Sequence, residues 1–374
     1  MNKVRQEDAS PINRGIKRMR LSRRDLMKSA SALTAAVSAV ELGHVPSAQA
    51  EEKFTVASTG GSWQEGIRQA FVEAPGLEAK FKSPIAFSGQ IESVAVSKIL
   101  AQPDNPPYSV SSHGDPEAIL LADKGCLRSF DDSVMANYNN LFDAARLPPR
   151  AGLQAWYGSI VMLVWGLTYN TNEAAKPTSW QDMWNPKYRG KVGVPAYGWY
   201  GMMFLHQINR MLGGTEADVS KGLAALSDLV KKNDAVLLEN ADQTVTAFQR
   251  EEIVIGPFFN GRTLGLQEKG IPVDIVYPSQ SIVLGAGFVI LKPTKFPEMA
   301  NAMINATFTP EYQLIMSKRL RYPPANRTTV LPPDMAAMAI NEKQLENTVR
   351  LDWVTINANR GENLERWNKQ VLGG

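Results

Sequence analysis

"KFTVASTGGSWQEGIRQAFVEA", Lys53 to Ala74, changes its period in the middle. Phe54-Thr55-Val56-Ala57 alternates and carries β-branched side chains, which reads as a strand. Gly60-Gly61 breaks the run. From Ser62 on, Trp63, Ile67, Ala70 and Phe71 recur at helical spacing. Ser62 with Glu65 three residues later predicts a capping box at the start of that helix. A strand, a glycine turn and a helix in this order open an α/β fold.

The same unit recurs along the chain. "PIAFSG" predicts a short strand and "QIESVAVSKILAQ" an amphipathic helix. "YSVSS" predicts a strand, and "HGDPEAILLADKG" a turn and helix with Pro116 in the first turn and Gly125 at the C-cap. "QAWYGSIVMLVWGLTYNT" is a long β-rich run. "KVGVP", "AVLLEN", "EIVIGPFF", "PVDIVYP" and "AGFVILK" predict further strands, separated by helical segments such as "GMMFLHQINRMLGG" and "NGRTLGLQEKG". From Phe296 on the chain reads as helical, apart from the proline-rich "RYPPANRTTVLPPD". Such alternation implies parallel or mixed sheets covered by helices, with ligands at the carboxyl ends of strands.

Residues 1–50 read as a leader and stand apart from the fold. Arg23-Arg24, between Ser22 and the Leu26-Met27-Lys28 segment, resembles a twin-arginine export signal. A weakly apolar "SALTAAVSAV" follows, then a small-x-small site at Ala48-Gln49-Ala50, so cleavage after about Ala50 and a periplasmic location are expected. The whole chain has 40 Lys and Arg against 37 Asp and Glu; beyond residue 50 there are 31 against 33. The basic excess thus belongs to the leader, and the remainder carries no nucleic-acid footprint. Cys126 is the only cysteine, which leaves no intrachain disulfide; its apolar surroundings predict a buried structural thiol. A span from Glu51 to Gly374 exceeds the usual single-core size of ~250–300 residues, so two lobes are expected.

Several segments together resemble the periplasmic solute-binding proteins of ABC importers, in the branch that includes the spermidine/putrescine receptors. They are "FTVASTGGSWQEG" (54–66), "YSVSSHGDPEAILLADKGCLRSFD" (108–131), "VWGLTYNT" (164–171), "SWQDMWNPKYRGKVGVP" (179–195), "FFNGR" (258–262) and "IPVDIVYPSQ" (271–280). The stretch at 179–195 is the most specific. The resemblance implies an α/β, two-lobed periplasmic-binding-protein fold of type II, the Venus-flytrap form, with a ligand cleft between lobes. It implies lobe 1 at about 51–162 plus 259–300 and lobe 2 at about 163–258 plus 301–374. It also implies crossings near 163–170, 256–262 and 300, a hinge closure, and delivery of a small polar ligand to a membrane permease with its ATPase, by a monomer.

On that fold four loops converge. The first is Gly60-Gly61-Ser62-Trp63, where glycines and a helix N-terminus admit an anionic group; Trp63 serves a ligand or the core equally well. The second is Ser88-Gly89. The third is Ser111, Ser112 and His113, although a lone histidine such as His113 is more often structural than a contact. The fourth is "AYGWY", where Tyr197, Trp199 and Tyr200 either pack a core or offer faces to a cation. The polyamine receptors carry an acid there, and this chain does not. Glu239, Asn240 and Asp242 can supply negative charge, or Asp242 can cap a helix. Phe259, Asn260 and Arg262 follow a strand, and Arg262 can clamp a carboxylate or phosphonate, or be solvated. Ser279 and Ser281 are weaker candidates. A ligand with an amine and an acid, such as a γ-amino acid, fits this set; a polyamine fits if Glu239, Asp242 or Asp115 supplies the missing charge.

No catalytic motif competes with this reading. There is no Gly-x-Ser-x-Gly, His-Glu-x-x-His, P-loop or dinucleotide fingerprint, and no cofactor, metal or catalytic residue is expected. A sensor role without transport would look the same in sequence.

Overall fold

The alternating segments form ten strands among the described residues: β1 (Phe54–Ser58), β2 (Ile85–Gly89), β3 (Val110–Gly114), β4 (Leu127–Arg128), β5 (Gly158–Asn170), β6 (Gly193–Pro195), β7 (Val236–Leu238), β8 (Ile255–Phe259), β9 (Val273–Val276) and β10 (Ile282–Leu291). The structure, a computed structural model, describes residues 53–340, 345 and 348–373. The leader, with Arg23-Arg24 and the site at Ala50, lies outside the described residues.

Eight strands share one sheet in the order β2-β1-β3-β10-β5-β8, with β4 on β10 and β9 on β5. β1 is parallel to β2 and to β3, because a helix crosses over between successive strands. β10 and β5 run antiparallel to their neighbours. β6 and β7 make a separate parallel pair, tied to β8 by a bridge between Val192 and Ile255.

β5 explains how these pieces cohere. All 13 of its residues are buried, which is why the sequence there is apolar without alternation. Gly158–Trp165 pairs with β10, Trp165–Tyr169 with β8, and Leu167–Asn170 with β9. One strand therefore serves two groups of elements. Helix Pro297–Phe308 and helix Pro310–Leu320 pack on the β1 side, against Gln69–Glu73 and helix Ser62–Arg68. Helix Trp199–Met211 packs on helix Ser220–Lys232 beside the β6–β7 pair, and helix Asn260–Gln267 packs on β8 and β9. Near the carboxyl end, helix Trp353–Ala358 rests on helix Asp115–Asp123, while Asn368–Leu372 reaches helix Ser220–Lys232.

Two local expectations are corrected. The capping box of Ser62 and Glu65 does not form: Ser62 makes no side-chain cap bond, and the Gly61 carbonyl accepts the Glu65 N–H at 3.1 Å. The Glu65 carboxylate pairs with Arg319 instead, since helix Pro310–Leu320 brings a guanidinium alongside and an ion pair outcompetes a backbone N–H. A capping box does form at Ser179 and Asp182. β10 starts at Ile282, ahead of the expected "AGFVILK", because Ile282–Gly285 pairs with Met162–Trp165 of β5. Cys126 is buried and free, as its apolar context predicted.

Candidate ligand-binding site

A cavity of about 550 Å³ opens where the turns after β1 and β6 meet helix Asn260–Gln267. On one wall stand Ser62 and Trp63 at the start of helix Ser62–Arg68, and Glu92 in the first turn of helix Glu92–Ala101. On the other stand Trp199 and Tyr200, which open helix Trp199–Met211. Asp242 and Arg262 complete this wall, and Arg319, Arg321 and Tyr322 close the rim.

The aromatic wall is built as a stack. Trp199 lies over Phe259 at 5.9 Å and 22°, and Tyr200 over Trp165 at 6.1 Å and 14°. Phe259 and Trp165 are buried in β8 and β5, so the sheet holds the two cavity rings in place. The ring of Trp199 also lies close to Gly114, where a Cβ would meet it at 3.3 Å.

Charge is unevenly placed. Arg262 pairs with Asp242 at 3.5 Å, and its neighbour Tyr322 contributes a side-chain hydrogen bond. Arg321 pairs with Glu268 at 2.8 Å across the rim. Glu92 is half-buried and accepts the Gly114 N–H at 3.1 Å. Burial and the neighbouring Glu117 and Asp115 push its carboxyl up to about 8, against the Gly114 N–H and Arg360. Asp115 is buried and pushed up to about 6 by burial, although Arg350, the Gly285 N–H and Tyr157 favour its charged form. Only glycine fits at 285: a Cβ there would stand 2.6 Å from Asp115 Oδ1 and 2.9 Å from the Tyr157 hydroxyl. Burial also raises the Tyr200 phenol, which stays neutral.

Of the expected residues, Ser62, Trp63, Trp199, Tyr200, Asp242 and Arg262 line this cavity. Gly61 is the exposed N-cap before Ser62. Ser88 is half-buried at the end of β2, outside the lining. The remaining ones lie elsewhere, each for a physical reason. Ser112 and His113 are buried within β3. Tyr197 turns to the carboxyl-terminal helix, packing on Trp367 at 5.7 Å and donating its hydroxyl to the Arg360 carbonyl. Phe259 is 1% exposed beneath the two cavity rings. The Asn260 side-chain carbonyl accepts the Val164 N–H at 3.3 Å and so braces β5. Glu239 is exposed, and its backbone N–H donates to Gln243 Oε1. Asn240, not Asp242, caps helix Ala241–Gln249. Ser279 lines a separate cavity beside Trp180, and Ser281 donates to the Pro278 carbonyl.

Glu92, Arg319, Arg321 and Tyr322 escaped sequence reasoning. Glu92 reads as an ordinary acid in a first helical turn, which the helix dipole already favours. The other three come from the far end of the chain and join the rim only through tertiary packing.

The sequence model of the family described as "Bacterial extracellular solute-binding protein" matches residues 77–343. The spermidine/putrescine-binding periplasmic protein of Escherichia coli (strain K12) is 26% identical over 232 residues, 59% of this chain. The chain spans 64% of that relative's length. The gamma-aminobutyric acid-binding protein of Pseudomonas aeruginosa is 23% identical over 349 residues, covering 87% of this chain and 92% of that protein. Among solved structures, the crystal structure of an ABC transporter from Clostridium perfringens matches with a TM-score of 0.72 and 18% identity, over 85% of this chain and 100% of that one.

Proposed function

Since the chain belongs to the bacterial extracellular solute-binding protein family and has the two-lobed fold of periplasmic binding proteins, we propose that it captures a small amine-bearing organic solute and delivers it to an ABC permease and its ATPase. The observation that carries this reading is the lining of the cavity: the carboxyl of Glu92, the guanidinium of Arg262 and the faces of Trp199 and Tyr200 meet in one space. A ligand with an ammonium at one end and a carboxylate at the other complements that set, so a γ-amino acid is the first choice. The relative from Pseudomonas aeruginosa, whose name gives gamma-aminobutyric acid as its ligand, supports it. A diamine is the second reading, favoured by Asp242 lining the same cavity as Glu92. The protein does no chemistry on the ligand and acts as a monomer.

The two lobes are divided within β5. β1 to β4, β10 and the helices Pro297–Phe308 and Pro310–Leu320 go to the first lobe, and β6 to β9 with helix Asn260–Gln267 to the second. In this division 259–281 and 301–320 lie in the other lobe from the one the resemblance implies. Residues 1–50 direct the chain to the periplasm. Replacing Arg23 and Arg24 with Lys is expected to trap precursor in the cytoplasm; normal export of that variant would place the protein on the general secretory route.

Thermal unfolding of the chain from residue 51, with millimolar gamma-aminobutyrate, putrescine, spermidine and aminophosphonates, tests the receptor reading. A ligand that binds only the folded state raises the midpoint. No shift with any of them overturns it.

A further inference from the structure

Beside the cavity three carboxyls come together from two helices. Glu92 lies in the first turn of Glu92–Ala101, and Asp115 and Glu117 lie in the first turn of Asp115–Asp123. Arg360 pairs with Glu117 at 3.4 Å, and the charge of Arg350 favours the ionised form of Asp115. Glu117 is only 5% exposed, and its Oε2 is buried without a hydrogen-bond partner. Glu92 is the member of the group that lines the cavity. Its Oε2 is held by the N–H of Gly114, the residue against which the Trp199 ring packs. Among the described residues, no three His, Cys, Asp or Glu side chains are placed to hold a metal ion.

We infer that the ammonium group of the ligand is received at the Glu92 carboxylate, beside the ring of Trp199. This rests on the receptor reading above. A carboxyl crowded by the like charges of its neighbours gains from an arriving cation. A metal ion would need more ligands than the site brings together, whereas an ammonium needs a few acceptors and an aromatic face.

Without an ammonium beside it, the Glu92 carboxyl keeps its proton. Every charged or titratable group facing Glu92 bears on it. Glu117 and Asp115 disfavour its ionisation and Arg360 favours it; Tyr157 and Tyr200, both neutral, face it as well. With its carboxyl pushed up to about 8, Glu92 is mostly protonated at pH 7. The exchange balances: an ammonium enters, the Glu92 O–H bond breaks heterolytically, and one proton leaves to solvent.

Isothermal titration calorimetry at pH 7, in phosphate and in Tris, with gamma-aminobutyrate and with putrescine as probes, decides it. For a probe that binds, the enthalpy is expected to shift between buffers by an amount approaching one proton released. Glu92→Gln is expected to weaken binding tenfold or more and to abolish the release. Should that variant not fold, the proton count of the wild-type chain decides alone. Binding without proton release, or unchanged affinity in Glu92→Gln, overturns the subsite and leaves the receptor reading standing. Failure of both probes to bind overturns the subsite together with the amine reading.

Discussion

Arg262 lines the same cavity as Glu92 and is the residue proposed to take the acidic end of the ligand. Its side chain is 42% exposed, and its partner Asp242 is 90% exposed, so their ion pair is weak and available for exchange. A ligand carboxylate can take the guanidinium by a bidentate pair, which a charge-assisted bond of ~1.5–3 kcal/mol makes worthwhile. Arg262→Ala is therefore expected to weaken gamma-aminobutyrate binding about 10- to 150-fold, and putrescine binding little, in the same calorimetric titration. Equal losses for both probes would show that Arg262 acts on the fold and not on the ligand. The same position illustrates how far single residues could be read. Trp199 and Tyr200 announced themselves as rings beside turn glycines, and both line the cavity. Tyr197 looked identical by that criterion, yet Trp367 draws it away. No local rule separates the three, because the deciding neighbour is a helix at the other end of the chain.

Helix Trp199–Met211 has to be held rigidly, since its first turn presents the cavity rings. Asn209, fully buried near its end, is the fastener. Its Nδ2 donates to the carbonyls of Thr215 and Asp218, both at 2.8 Å, and its Oδ1 accepts the Gly222 N–H at 2.9 Å. One side chain thus ties the helix, the following loop and helix Ser220–Lys232 together. Asn209→Ala leaves several buried backbone groups unpaired, each worth ~1–3 kcal/mol. The expected outcome is a loss of about 2–4 kcal/mol in urea unfolding. A loss under 1 kcal/mol would mean that water replaces the amide. The helix itself was legible from its apolar spacing and its Gly-Gly stop. The role of Asn209 was not, because a polar residue on such a face gives no sign of which loop it will meet.

Four titratable groups, three of them buried and Glu92 half-buried, pull the stability of the whole molecule in opposite directions. His113 is held down to about 3 and His206 to about 4, both by burial. A depressed folded value means their contribution is complete above ~6.5 and is lost as pH falls toward 4 and then 3. Asp115 is raised to about 6 and Glu92 to about 8. A raised folded value means their contribution is complete below ~4 and is lost as pH rises through 6 and then 8. Between pH 7 and 8 the titration of Glu92 outweighs that of the other three, so stability should fall with rising pH there, by on the order of 1 kcal/mol. Urea unfolding across that range should show the fall in the wild-type chain and a flat profile in Glu92→Gln. A bound amine should remove the fall as well, since it favours the ionised carboxyl. A flat wild-type profile would mean that Glu92 is already ionised in the free protein.

The order of strands and helices apart from the short β4, the glycine turns, the buried thiol and the lack of any catalytic motif were written in the sequence. They depend on periodicity and on residues a few places apart, which the chain displays directly. The pairing of β5 with β10, β8 and β9 came only with the fold. So did the corner that joins Glu92, Gly114, Glu117 and Trp199. A carboxyl in a first helical turn is commonplace in a sequence. It becomes a candidate place for an ammonium only when neighbouring carboxyls and an indole are packed around it, and those come from segments apart in the chain.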